Sequence, residues 1–140
     1  MSKENKAPKL TPGDIDRFDK LKIQIAQLLK DISELSKKHP DGPISKFKLK
    51  FVNEKIIGAN YFLQGTFLPI EDFVAFDDST LPTNSDVVMV LSQYLECLEF
   101  WRSANVRHRK NEYGSYYWEW AVDSISIATD EPTKHLTSKK

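Results

Sequence analysis

Two glutamates three residues apart, Glu96 and Glu99, are the side chains of this sequence best placed to do proton chemistry. On one helix face, paired carboxylates can hold a hard cation or divide the roles of general acid and general base. No third ligand stands in register with them, and a solvated helix face explains the pair equally well. Cys97, the single cysteine, lies between them. A thiol nucleophile needs a nearby base, but Cys97 falls on the apolar arc of its helix, where a buried thiol is inert. His39, His108 and His135 are scattered and form no metal-ligand spacing with Cys97 or with one another. Asp77-Asp78, followed by Ser79-Thr80, reads as turn chemistry rather than a cation loop. The glycine-rich phosphate and dinucleotide loops, the zinc-protease helix and the serine-hydrolase elbow are all missing. We therefore expect no catalytic residue, no metal and no cofactor, and a protein that is more readily a binder than an enzyme.

Binding residues are easier to nominate. Between Lys55 and Arg102 there is no lysine or arginine, and residues 56–101 carry seven acids. Residues 1–55 hold 13 bases against 8 acids, and residues 102–140 hold 7 against 5, so a net charge of zero conceals a segregated molecule. Segregated charge is a statement about partners. Of the seven acids, Glu71, Asp72, Asp77 and Asp78 fall in a connector, with Phe73 and Phe76 among them. That connector is one candidate surface for a protein partner.

The second candidate is aromatic. Tyr113, Tyr116, Tyr117, Trp118 and Trp120 crowd into eight residues, just after Arg107, His108, Arg109 and Lys110. If Tyr116, Trp118 and Trp120 face the body of the protein, Tyr117 and Glu119 face outward and are available to a partner. Bases beside aromatics could instead stack single-stranded nucleic acid. That alternative uses Arg107, Arg109 and Lys110 together with Lys46, Lys48 and Lys50. It is coherent only if the three lysines share a strand face, because on a helix they spread over roughly 200° of arc.

These residues need elements to position them. Thr11-Pro12-Gly13-Asp14 is a helix start, with a capping hydroxyl, a proline at the first position and an acid three residues on. Phe18, Leu21, Ile25, Leu28, Ile32 and Leu35 then recur at spacings of 3 and 4, until Pro40 and Gly42 end the run. The seam spans under three heptads, which suits an intramolecular bundle better than an intermolecular coiled coil. Residues 44–63 carry two periods. Phe47, Leu49 and Phe51 alternate as in a strand, while Leu49, Val52, Ile56, Ala59 and Leu63 recur as in a helix. The longer pattern favours a helix over 44–63. Residues 64–83 read as connector, with one short helix expected from Pro69 through Phe76. Thr83 and Asp86 start a third helix, with Val87, Leu91, Tyr94, Leu98 and Trp101 as its core stripe, expected to run to Arg109. Tyr116 to Val122 alternates and should pair with Ile125–Ile127 across an Asp123-Ser124 turn; a helix over 113–122 is the competitor.

The expected architecture is mainly α: a small antiparallel bundle of three main helices with a C-terminal β-hairpin, about 115–129, packed on it. At 140 residues a single domain over 11–130 is expected, with flexible tails at 1–10 and 131–140. One cysteine, no apolar leader and no long apolar run point to a cytoplasmic location and no membrane. The functional expectation is a non-enzymatic interaction or regulatory protein that binds a protein partner, with nucleic acid as the alternative and self-association through charge or strand edges also open.

Overall fold

The computed structural model describes residues 9–123 and 125–133. Three helices carry it: α1 (Pro12–Lys38), α2 (Lys46–Leu63) and α3 (Asn84–Ser103). A three-stranded antiparallel sheet packs on them, formed by β1 (Val106–Lys110), β2 (Tyr116–Trp120) and β3 (Ala128–Thr129) in the order β1-β2-β3. The fold is mainly α, as the sequence patterns require. No helix among the described residues is long and apolar enough to cross a membrane.

α1 begins where its caps place it. The Thr11 hydroxyl accepts from the Asp14 N–H at 3.2 Å, and the Asp14 carboxylate accepts from the Thr11 N–H at 3.0 Å, a reciprocal capping box. Its seam turns inward: Ile15, Phe18, Ile25 and Ile32 are buried and face α2 and α3. α2 settles the ambiguous segment as helix, starting at Lys46 with the Ser45 hydroxyl capping Lys48 N–H at 3.2 Å. The residues it buries are Leu49, Val52, Ile56, Ala59 and Leu63, the set with helical spacing. Phe47 and Phe51, which carried the strand pattern, stay at the surface and pack edge to face. α3 docks its first turn on the loop between α1 and α2. The N–H groups of Asn84 and Ser85, orphans of the helix start, donate to Gly42 O at 2.9 Å and Pro40 O at 3.1 Å.

Gly58 marks the close approach of α2 to α1. A Cβ built there would lie 3.6 Å from Leu21 Cδ2, an ordinary contact. Glycine in a helix interior costs about 0.5–1 kcal/mol relative to alanine. Gly58→Ala is therefore expected to stabilise the fold by about that amount, read as a higher midpoint in urea with an unchanged slope.

Three sequence expectations need correction. First, α3 stops at Ser103, not Arg109, and residues 106–110 form a strand. The Asn105 side chain donates to Trp101 O at 2.7 Å while its own carbonyl accepts Ala121 N–H at 2.7 Å, so the chain leaves the helix and pairs with the segment after β2. Second, the strand at Tyr116 pairs chiefly with β1, not with 125–127. Asn111 makes the turn, its side-chain oxygen accepting the N–H groups of Tyr113 and Ser115, each at 2.9 Å, and Gly114 supplies φ +86°. β3 adds only the pairs Trp118↔Thr129 and Glu119↔Ala128, and the expected turn residue Ser124 lies outside the described residues. Third, no helix runs from Pro69 to Phe76. That stretch is laid along α2 by side-chain brackets. Asn53 holds both backbone groups of Phe76, at 3.0 and 2.9 Å, and Asn60 donates to Phe73 O and Val74 O at 3.0 and 3.2 Å. The Tyr94 hydroxyl in turn donates to Asn60 Oδ1 from the core of α3.

One aromatic cluster ties the layers together. Phe18 of α1 stacks on Trp101 of α3 at 5.4 Å and meets Trp120 of β2 edge-on at 5.4 Å, while Phe62 of α2 closes on Trp101 at 4.6 Å. Few residues of the expected tails are described. Leu10 packs on the core, Pro132 is buried, and residues 1–8 and 134–140, with His135, lie outside the described residues.

Candidate interaction surface

The β1–β2 hairpin has two unlike faces, because side chains alternate along each strand. On one face, Arg107 pairs across to Glu119 and Arg109 to Tyr117. Glu119 is only 2% exposed. Its carboxylate accepts Arg107 Nε at 2.6 Å and the Ser126 hydroxyl at 2.8 Å, with Arg109 Nε 3.7 Å away. The Arg107 and Ser126 hydrogen bonds, against a smaller desolvation cost, hold its carboxyl below the usual carboxylate range, and the two guanidinium charges add to this. Glu119 is therefore an internal anchor and not the outward acid that simple alternation suggested. Tyr117 is half-buried beside it. Arg107 is committed to this anchor, also donating to Val122 O at 3.1 Å.

The opposite face is buried at Trp120 and exposed toward its outer end. His108 stacks on Trp118 at 4.6 Å and on Tyr116 at 4.9 Å, and Lys110 Nζ stands 5.6 Å above the Tyr116 ring. Tyr116 is 64% and Tyr113, at the tip, 85% exposed. The outer edge of β1 is open. Backbone bonds at Asn105–Ala121 and Asn111–Ser115 fix the register, so Arg107 and Arg109 bond inward to β2. The N–H and C=O groups of His108 and Lys110 then point to the free edge. Exposed Arg109 and Lys110 flank that edge, opposed nearby by Glu112.

The acidic connector is less available than its sequence implies. Phe73 and Phe76 pack edge to face at 5.3 Å and turn onto the core. Asp77 accepts from the Ser79 N–H and hydroxyl at 2.9 and 2.8 Å, the N–H first and the hydroxyl second holding its carboxyl low. Glu71, Asp72 and Asp78 are exposed and make no ion pair among the described residues. Of the lysines on α2, Lys46 and Lys50 line a cleft of about 800 Å³ that Asp78 and Ser79 close from the connector side. Lys48 lies off that cleft, as helical spacing requires. No hydrogen bond or ion pair among the described residues joins the α2 lysines to Arg107, Arg109 or Lys110.

Glu99 is committed to partners other than Glu96. Glu99 receives Arg102 Nε at 2.9 Å and Nη2 at 2.7 Å, and the N–H and hydroxyl of Thr133 at 2.9 Å each. Burial would raise its pKa, but the Arg102 and Thr133 hydrogen bonds and the guanidinium charge outweigh it and bring the carboxyl down to about 2. Arg102, 5% exposed, continues to Thr129 Oγ1 at 3.0 Å, Asp130 O at 2.8 Å and Glu131 O at 3.1 Å. This clamp sews the chain after β3 to the end of α3, and sequence reasoning missed it. Its only local signal is the Glu99/Arg102 spacing of three. Burial first, then the neighbouring Glu96 charge, pushes the Cys97 thiol up, away from thiolate chemistry. No group of three or more His, Cys, Asp or Glu side chains among the described residues is placed to hold a metal ion.

The Glu99 carboxyl makes stability depend on pH. Its folded pKa lies below its ordinary value of 4.5, so its contribution is complete above about 4.5 and is lost as pH falls toward 2. Unscreened, the shift amounts to about 3 kcal/mol, and solvent screening reduces that to about 1–2 kcal/mol. Urea midpoints across that window should fall with pH in the wild type and fall less steeply in Glu99→Gln.

The class these features define is a mainly-α domain with a small antiparallel sheet whose basic edge strand is open. No protein-family model, no curated protein and no solved structure matches the chain.

Proposed function

We propose that the protein is a non-enzymatic interaction module that takes up an extended, acidic segment of a protein partner along the free edge of β1. The observation that carries this reading is the edge itself: unpaired backbone groups at His108 and Lys110, beside Arg109 and an exposed aromatic row. Strand addition uses such an edge for affinity, and the flanking side chains select the occupant. Lys110 and the more loosely paired Arg109, 3.7 Å from Glu119 where Arg107 is at 2.6 Å, favour acids. Charged residues also protect an edge strand from casual pairing, so the same cations would exclude basic or neutral segments.

A nucleic-acid accessory role is the second reading. Cations and aromatics on one hairpin favour it. Against it, the rings of Tyr116, His108 and Trp118 lie on one another, and Lys110 covers Tyr116, which leaves few ring faces for bases.

Affinity purification from the native host separates these outcomes, comparing wild type with Arg109→Glu/Lys110→Glu and with His108→Pro. Proline deletes an outward N–H, at a position where edge strands accept it, and also the imidazole stacked on Tyr116 and Trp118, so His108→Ala, which keeps the N–H, is the control and should retain the partner. A protein partner retained after nuclease treatment and lost from both variants is the expected result. Recovery that depends on nuclease-sensitive material, or that survives both substitutions, overturns the proposal. If the segment comes from a second copy, mass measurements will show a concentration-dependent dimer that both variants abolish.

A further inference from the structure

Independently of the hairpin, a cleft of about 840 Å³ opens between the N-terminal half of α1 and the C-terminal half of α2. Its floor is apolar: Leu10, Leu21, Phe62, Phe67 and Trp101 all contribute while leaning on the core. Tyr61, 80% exposed, stands as a wall. Gly58 lines the cleft without a side chain. The rim is charged, with Lys9, Arg17 and Lys20 against one acid, Asp14. Asp14 is already engaged by the α1 cap and by Arg17. Lys9 leans on Asp123 at 3.5 Å, while Lys20 has no partner among the described residues. The far wall turns at Gln64, held at φ 49° and ψ 157°, a region costly for a residue with a side chain.

We propose that this cleft binds a small amphipathic anion: an acyl carboxylate whose apolar body lies on Phe62, Phe67 and Trp101 and whose head meets Lys20. Size selects a small molecule, since the volume falls within the roughly 300–1,000 Å³ range of such sites. Charge selects an anion, because Arg17 neutralises the rim's one acid and Lys20 remains without a partner among the described residues. The polarity is one-sided, with an apolar floor and a cationic lip, which matches a head-and-tail molecule better than a uniformly polar one.

The test uses the full chain labelled with ¹⁵N and two probes of equal tail length, decanoate and decyltrimethylammonium, each below its micelle concentration. Decanoate is expected to shift the amide signals of Gly58, Gln64 and Gly65 saturably and to leave that of Gly114, at the hairpin tip, in place. Lys20→Glu, an exposed change with no partner to lose, should weaken it about fivefold. The Tyr61→Ala variant should also bind less tightly. Shifts confined to the hairpin, equal binding of the cationic probe, no saturable shift, or unchanged affinity in Lys20→Glu would each overturn the assignment. So would an acidic amphipathic peptide that occupies the cleft when decanoate does not. None of these outcomes bears on whether β1 accepts a strand.

Discussion

Arg102→Ala is expected to destabilise the fold by about 3–5 kcal/mol, the cost of removing one member of a buried, hydrogen-bonded ion pair. Arg102 is 5% exposed, and its guanidinium serves four acceptor residues: Glu99, Thr129, Asp130 and Glu131. Truncation would leave the Glu99 carboxylate under-partnered and the carbonyls of Asp130 and Glu131 without this donor. It would also leave the Glu99–Thr133 hydrogen bonds to hold the chain after β3 to α3 without the Arg102 bonds beside them. Arg102→Lys should rescue little, since an ammonium cannot span the bidentate Glu99 contact and the three acceptors beyond it. Urea unfolding of the three proteins gives the comparison. A loss under 1 kcal/mol for Arg102→Ala would mean that water replaces the clamp freely.

Trp120→Ala is the second large effect, also about 3–5 kcal/mol for deleting a large buried aromatic. Trp120 is 3% exposed and meets Phe18 at 5.4 Å and Trp101 at 5.8 Å. It sits at the inner end of the ladder whose outer end carries Lys110 and Tyr116, so one residue docks the sheet and, with it, orients the exposed hairpin. The variant should therefore lose near-ultraviolet circular dichroism as well as stability. Trp118→Ala, on the same strand but half-exposed, should cost distinctly less. Equal losses for the two would place the sheet's anchor elsewhere.

How much of this was legible in the sequence varies by element. α1 announces itself because cap, proline, seam and stop agree, and each is a local signal. α2 is legible once the longer period is preferred, because burial follows that period at Leu49, Val52 and Ile56. β1 is not legible. Val106, Arg107, His108, Arg109 and Lys110 show no apolar alternation, because most of the strand borders solvent and one side chain is used to bury Glu119. A run of bases at the end of an apolar helix then imitates a helix C-terminus. The connector misleads for a different reason: it is ordered by Asn53 and Asn60 on another element, and side-chain-to-backbone brackets leave no periodicity. Asn53 and Asn60, seven apart on α2, are the one trace such an arrangement leaves.

The candidate surfaces divide in the same way. Arg109 and Lys110 could be nominated from composition alone, whereas Tyr116, expected to face the body of the protein, is exposed and Tyr117, expected outward, is half-buried. That Glu119 is an internal anchor, that Phe73 and Phe76 face the core, and that Arg107 is already committed all depend on pairings distant in sequence. Charge segregation is partly resolved within the fold. Glu99 is neutralised by Arg102 and Asp78 lies across a cleft from Lys46 and Lys50, while Glu71 and Asp72 stay exposed.

Amide hydrogen exchange on the protein alone and with its recovered partner is the most direct measurement of strand addition. The N–H groups of His108 and Lys110, which point to the open edge, should exchange freely in the isolated protein and become protected in the complex. The inward N–H groups of Arg107 and Arg109 should be protected in both states. Protection that appears instead along Glu71–Asp78, or over Lys46–Lys50, with His108 and Lys110 unchanged, would contradict the account.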